Sequence, residues 1–445
     1  MTGEERKLTW LAGFSHFITH GYMTLLPAAL VVITAEHSIS FMDIGIIANI
    51  GYFLYGLGSF PAGYLSDKLG SKRMLTVGVF GMAISSILVG FSRSMTGFAI
   101  TYALLGTFAS IHHPAGLSLI ARRVELNKGK ALGIHGVMGN AGLFLTPLIA
   151  GLGIMYFQSW RAAYVIYGVA GLFFGIILYF SRVEQEKDLC WREVLALPGQ
   201  IFKAESSRLS AQTKLMPLRY KNSEQGQAAG QTDQSTQDKV NILPVSLLLL
   251  YAGSILSGFI FRGSLTFFPA LLKQEVHFIT SHDEPVVIAG YVTSAVLSMG
   301  LIGSWFGGYI NDKIKRPELF PLNIFAIVAP ALYLLSHFTD SWLLATACVF
   351  SLVYYAWQPS HNYLIAKYTR KASHGMGFGI NFFLIFGVGS IATTIGGYVA
   401  DDYGVDYFYM IMAFVAIAAL LAGFGVWMVR HHSIRFAWRV VKDSN

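Results

Sequence analysis

Histidine recurs in apolar surroundings along this chain: His16 and His20 in "GFSHFITHGYMTLL", His112 and His113 in "ASIHHPAGLSLI", His135 in "LGIHGVMG" and His361 in "WQPSHNYL". Arg262 stands in "GFIFRGSLTFFPALL". An imidazole exchanges a proton near neutral pH, and a guanidinium is a permanently charged planar fork that matches phosphate or carboxylate oxygens. No Asp or Glu falls clearly within these apolar runs; Asp43, Asp67, Asp312 and Asp401 stand at their ends. A cation site would want a buried carboxylate, so this set fits an anionic ligand with histidine as the proton carrier. Tyr22, Tyr52 and Tyr291, with the amides Asn140, Gln358, Asn362 and Asn381, add hydrogen-bond donors. Each of these also has a plain use in packing or interhelical bonding.

The surroundings of those side chains follow from composition. Of 445 residues 54% are hydrophobic and 13% charged, against about 25% charged in soluble domains. Apolar runs such as 8–35, 162–180 and 408–429 reach the roughly 20 residues that cross a bilayer. Ten-residue alternating segments, the mark of a membrane barrel, do not occur. Spans are expected near 9–35, 43–66, 73–92, 97–121, 130–156, 161–181, 241–272, 286–310, 319–338, 341–366, 375–400 and 406–429, which makes an all-α integral membrane protein. The first run is too long for a cleaved signal core and lacks a small-residue cleavage site. Cys190 and Cys348 support neither a disulfide framework nor a metal cluster. No metal or cofactor is expected.

Charge sets the orientation. Apart from Arg93, Arg161, Lys273 and Arg262, the 32 Lys and Arg lie in segments on one side of those spans. The positive-inside rule makes that side, with both termini, cytoplasmic. The net charge of +8 therefore reflects topology and lipid contact, not a nucleic-acid partner.

The chain also repeats. "FITHGYMTLLPAAL" (17–30) matches "FIFRGSLTFFPALL" (259–272), which pairs His20 with Arg262. "GYLSDK" (63–68) matches "GYINDK" (308–313), Pro114 matches Pro359, and "LIAR" at Leu119 matches "LIAK" at Leu364. The expected organisation is a six-helix bundle over 1–181, a polar linker over 182–240, a second six-helix bundle over 241–430 and a tail over 431–445. Within the linker, "CWREVLALPGQIF" could lie on the membrane as an amphipathic helix, and an ordinary linker turn is the competing reading. Parallel repeats place a substrate site at their interface near the midplane.

The loop "GYLSDKLGSKR" resembles the signature of the major facilitator superfamily, with Gly63, Asp67, Gly70, Lys72 and Arg73 at its positions and Asp312 in its second-half copy. That resemblance implies twelve transmembrane helices in two pseudo-symmetric six-helix bundles and a gating role for the motif. Physically, Gly63 permits close helix approach, Asp67 can meet a helix N-terminus of the other half, and Lys72 and Arg73 suit lipid phosphates or acidic side chains. In the fifth span, Gly142, Pro147 and Gly151 resemble an exporting-antiporter pattern in which Thr146 and Ala150 replace two glycines. "SHF" at 15–17 and His113–Pro114 followed by Arg122 resemble the fosmidomycin-resistance branch, which implies an inner-membrane exporter.

The resulting expectation is an alternating-access secondary transporter of a small organic anion, proton-coupled and exporting. An uptake symporter for a carboxylate or sugar phosphate is the alternative, and a non-transporting sensor a remote one. An enzyme is excluded by the lack of a carboxylate near "HHPAG", and ATP drive by the lack of a P-loop. Successive helical residues point about 100° apart, so His112 and His113 are expected to diverge, with His113 toward the cavity. Pro114 is expected to free a carbonyl near Ser110, a polar spot for water.

Overall fold

Proline and small residues decide where the long apolar runs of this chain stay straight and where they break. The computed structural model describes residues 1–39, 41–182, 234–283 and 285–443. The first half contains α1 (Gly3–His37), α2 (Phe41–Leu69), α3 (Ser71–Phe91), α4 (Met95–Ala109), α5 (His112–Arg123), α6 (Lys128–Phe157) and α7 (Trp160–Phe180). The second contains α8 (Gln234–Glu275), the single turn α9 (His277–Thr280), α10 (Pro285–Asn311), α11 (Leu319–Leu335), α12 (Asp340–Tyr368), α13 (His374–Phe382), α14 (Ile391–Tyr403) and α15 (Val405–Asp443). A π-helical turn, Phe383–Val388, joins α13 to α14. Among the described residues there is no strand. With α4–α5 and α13–α14 each counted as one crossing, the chain makes twelve, six to a half.

Among the described residues, six helical stretches are long and apolar enough to cross a membrane by length and composition alone. Outward stripes mark the lipid face: Phe173, Ile177 and Phe180 on α7, and Phe414, Ile417, Leu421 and Phe424 on α15, are all exposed. Their spacing of three and four residues lines one side of a helix, as a hydrocarbon neighbour requires.

Two expected spans are not continuous. The fourth breaks at Ser110–Ile111, because Pro114 has no N–H to return to the Ser110 carbonyl. That carbonyl accepts a hydrogen bond from Ser59 Oγ of α2 at 3.2 Å, so a protein hydroxyl occupies the spot expected to take water. The eleventh span is interrupted by the π turn. Pro359, by contrast, sits within an unbroken α12. The amphipathic piece 190–202 and most of the expected linker lie outside the described residues.

The duplication extends to side-chain bonds. Tyr22 Oη donates to the Tyr167 carbonyl at 2.9 Å, and Tyr409 Oη donates to the Ser264 carbonyl at 2.8 Å, each across 145 residues. Ser15 Oγ meets His112 Nδ1 at 2.9 Å and Ser257 Oγ meets Tyr354 Oη at 2.7 Å, each across 97 residues.

The halves meet through α6 with α10, α2 with α13 and the π turn, α5 with α13, and α6 with α12. A Cβ on Gly63 would strike the Gly375 carbonyl, and one on Gly308 would strike Gly133 Cα and the Gly129 carbonyl. Both glycines thus bring backbones of opposite halves together, as small residues do between membrane helices. Beyond the π turn, α14 packs on α8 and α15 of its own half. The contact between halves is therefore concentrated at the end that carries Asp67 and Asp312.

Candidate functional site

Two carboxylates clasp that end. Asp67, in the last turn of α2, accepts the backbone N–H of Gly375 at 2.7 Å and of Met376 at 2.8 Å, both in the first turn of α13. Arg122 of α5 pairs with the same carboxylate, and its Nε donates to the Lys371 carbonyl at 3.0 Å. In the second half Asp312, just past α10, accepts from the N–H of Gly129 at 2.8 Å and Lys130 at 2.7 Å, in the first turn of α6. Each carboxylate of one half thus faces the positive end of a helix in the other.

Deeper in the molecule, α1, α5 and α6 bring five histidines into one cluster. The His16 ring centroid lies 4.1 Å from that of His135, 4.2 Å from His20 and 4.9 Å from both His112 and His113. All five side chains are buried. His16 Nδ1 lies 2.7 Å from the His135 carbonyl and His20 Nδ1 lies 3.0 Å from the Gly139 carbonyl. His16 Nε2 and His20 Nε2 face each other at 3.2 Å. Gly139 allows this approach, since a Cβ there would run into the His16 ring. Ring nitrogens of His16, His112 and His113 all lie within 4.8 Å of one another, a spacing open to a metal ion.

Beside the cluster is a small cavity between the halves. His20, Asn140 and Leu143 line it from the first half. Ser257 and Phe261 of α8, Tyr354, Tyr355, Trp357 and Gln358 of α12, and Ile385 and Phe386 of the π turn line it from the second. No acidic side chain is among these residues. A small apolar cavity shares Phe261, Tyr354 and Tyr355 with it and reaches toward Phe268 and Val296. Arg262 lies beside the wall, its guanidinium carbon 4.4 Å from the ring centre of Tyr52 in α2 and 5.5 Å from that of Phe386. It bridges the halves by cation–π contact. Tyr52 in turn donates to the Met23 carbonyl at 2.9 Å.

A family model described as Major Facilitator Superfamily matches residues 10–393 and 250–437. The chain belongs to the major facilitator superfamily. It is accordingly an integral membrane secondary transporter and not an enzyme. It is 23% identical over 433 residues to a probable hexose phosphate transport protein of Chlamydia muridarum (strain MoPn / Nigg), covering 95% of this chain and 90% of that one. It is 24% identical over 422 residues to the fosmidomycin resistance protein of Escherichia coli (strain K12), covering 92% and 90%. Among solved structures it resembles the superfamily transporter FucP in the outward conformation, with a TM-score of 0.66, 12% identity and coverage of 94% of this chain and 98% of that one.

Within this superfamily fold the residues singled out from sequence separate into several groups. His20, Asn140 and Gln358 reach the cavity. Asn140 Nδ2 also donates to Ser304 Oγ at 2.7 Å and thereby ties α6 to α10. His361 Nε2 lies 2.9 Å from Ser254 Oγ and 3.1 Å from Asn381 Oδ1, behind Trp357, on which its ring stacks at 4.3 Å. His112 and His113 do not part company as expected: both rings belong to the cluster, 5.2 Å apart. His113 is screened from the cavity, with its ring stacked at 4.0 Å on Phe382 of the other half. Being at the start of a helix that follows a break, the two side chains straddle the cluster instead of diverging from it.

Other assignments need correction. Tyr22 is fully buried, with its hydroxyl spent on the Tyr167 carbonyl, and Tyr291 is exposed; neither reaches the cavity. Lys72 does not turn to lipid or acid; its Nζ donates to the Tyr179 and Ser181 carbonyls at 3.3 and 2.5 Å, satisfying the end of α7. Gly70, at φ 92°, makes the turn between α2 and α3, and Arg73 sits in the first turn of α3. Gly142 lets α6 approach the Phe17 carbonyl of α1, while the surroundings of Pro147 and Gly151 lie outside what is described. Sequence reasoning missed Phe261, Tyr354, Tyr355 and Phe386. The run "VYYAWQP", with four aromatic or amide side chains just before Pro359, was the signal available for the α12 pair.

Proposed function

We propose that this chain moves a small organic anion of the phosphonate, phosphate or carboxylate class by alternating access, coupled to protons and in the exporting direction. The observation that carries the reading is the cavity between the halves, free of acidic lining, with Arg262 held against its Phe386 wall by rings from both halves. Gln358 and the Tyr355 hydroxyl are the donors that would orient the anion, whereas His20, Asn140 and Tyr354 line the cavity with their hydrogens given to protein oxygens. His361, held between Ser254 and Asn381 one ring behind the wall, is the carrier assigned to the coupling proton. Gly63, Asp67, Gly70, Lys72, Arg73 and Asp312 serve the gate, with both chain termini on the cytoplasmic side of an inner membrane by the distribution of Lys and Arg. On that orientation the clasped end is the cytoplasmic one, and the conformation faces outward.

A thermal-shift screen of purified protein against organic anions and cationic drugs tests the substrate class. Phosphonates or sugar phosphates should raise the Tm of the parent and not of Arg262→Ala. Stabilisation by cationic drugs alone, or anion affinity unchanged in Arg262→Ala, would sink it.

Uptake is the second reading, favoured by the similarity to a protein named for hexose phosphate transport. Inverted vesicles separate the two. Accumulation driven by an acid lumen supports proton-coupled export, and its absence with uptake into right-side-out cells supports import.

A further inference from the structure

The orientation of two histidines raises a charge problem that the transport reading does not use. A backbone carbonyl only accepts, so the contacts of His16 Nδ1 with the His135 carbonyl and of His20 Nδ1 with the Gly139 carbonyl place the ring hydrogen of each on Nδ1. In the neutral rings both Nε2 atoms are then bare lone pairs, and they confront each other at 3.2 Å. Two lone pairs at that distance repel unless something positive lies between them.

We propose that His16, His20, His112 and His113 form a binding site for a transition-metal ion of the zinc, nickel and copper class. Nitrogens on adjacent corners of a tetrahedral zinc site are about 3.3 Å apart, close to the 3.2 Å observed. A proton shared by His16 and His20 would satisfy that pair but leave the rest of the cluster unanswered. Ring nitrogens of His112 and His113 stand within 4.8 Å of that of His16, and His112 Nε2 with both nitrogens of His113 are buried and unpartnered.

The surroundings also match. Nδ1 of His16, His20 and His112 is held by an oxygen, from the His135 carbonyl, the Gly139 carbonyl and Ser15 Oγ respectively. That is the usual way a protein fixes metal-ligating imidazoles so that Nε2 faces the ion. The all-nitrogen set selects borderline transition metals over Mg²⁺ or Ca²⁺, which demand oxygen. His20 also lines the neighbouring cavity, but the metal site does not depend on which substrate that cavity carries.

The full chain, purified in detergent and stripped with chelator, is titrated with Co²⁺ and Zn²⁺. The intense visible d–d bands of four-coordinate nitrogen-ligated Co²⁺ should appear, saturate at about one equivalent and bleach on adding Zn²⁺. His16→Gln and His112→Gln should each abolish saturable binding, and Ser15→Ala, which removes only the oxygen behind His112, should weaken it about 10–100-fold. His337→Gln, at an exposed histidine bonded to Ser336, should change nothing. Removing a buried ring could unfold the protein, so the Co²⁺ spectrum of the parent decides by itself. Absence of four-coordinate bands, or Zn²⁺ content equal in the parent, His16→Gln and His112→Gln, overturns the metal site and leaves a shared proton between His16 and His20.

Discussion

Asp67 is a carboxylate bound both within its own half, by Arg122, and across to the other, by two backbone amides. It holds two amides of α13 and the Arg122 guanidinium while its side chain is only 8% exposed. A charge at a partly buried helix end is worth up to about 2 kcal/mol. Asp67→Asn keeps the shape and one acceptor but loses the charge, so the amides of Gly375 and Met376 should exchange with deuterium roughly 30-fold faster. Unchanged protection would show that the clasp does not hold the closed end. Glu318, in the turn before α11, makes a different case. Burial raises its carboxyl, but hydrogen bonds from Lys367 and Tyr368 outweigh that and hold it below the ordinary 4.5. A lowered folded-state value stabilises above the ordinary value and stops doing so as pH falls through the folded one. Glu318→Gln should therefore cost roughly 1–2 kcal/mol at neutral pH, and the Tm difference from the parent should close in acid.

Helices decide which of these residues meet. Each histidine was visible as an ionisable group in an apolar run, because that depends only on its neighbours in sequence. Their convergence was not visible, because it depends on how α1, α5 and α6 are rotated against one another, and that is set by contacts 97 to 119 residues apart. The Asp67 motif was legible for the opposite reason: its glycine and its acid lie four residues apart, and the same short pattern recurs in the second half. Lys72 shows the limit of the same motif, since its true acceptors are carbonyls at the end of α7, whose position no local pattern encodes. Close approach of α2 to α13 depends on Gly63. Gly63→Leu should drive those helices apart at the clasped end, lengthening spin-label distances measured by double electron–electron resonance between α2 and α13. The distances should stay as in the parent if the closed state tolerates the side chain.

At the scale of the molecule, the twelve crossings and their division into halves were readable from hydropathy and the repeated "GY-x-x-D-K", whereas the cavity was not. Its wall draws on α1, α6, α8, α12 and the π turn, and the π turn itself left no mark in the pattern of apolar residues. If the halves are self-sufficient bundles, two polypeptides separated within 183–233 and co-expressed should copurify. A single Asp67→Asn or Asp312→Asn change should weaken that association, and both together should weaken it more. The reason lies in the pairing of the clasps. Each half offers a carboxylate and receives one on a helix N-terminus, so the closing surface is self-complementary in the way that a two-fold dimer interface is. A lone ancestral unit carrying both parts would already have been able to bind a copy of itself, and fusing two such units into one chain would have needed no new interface at all.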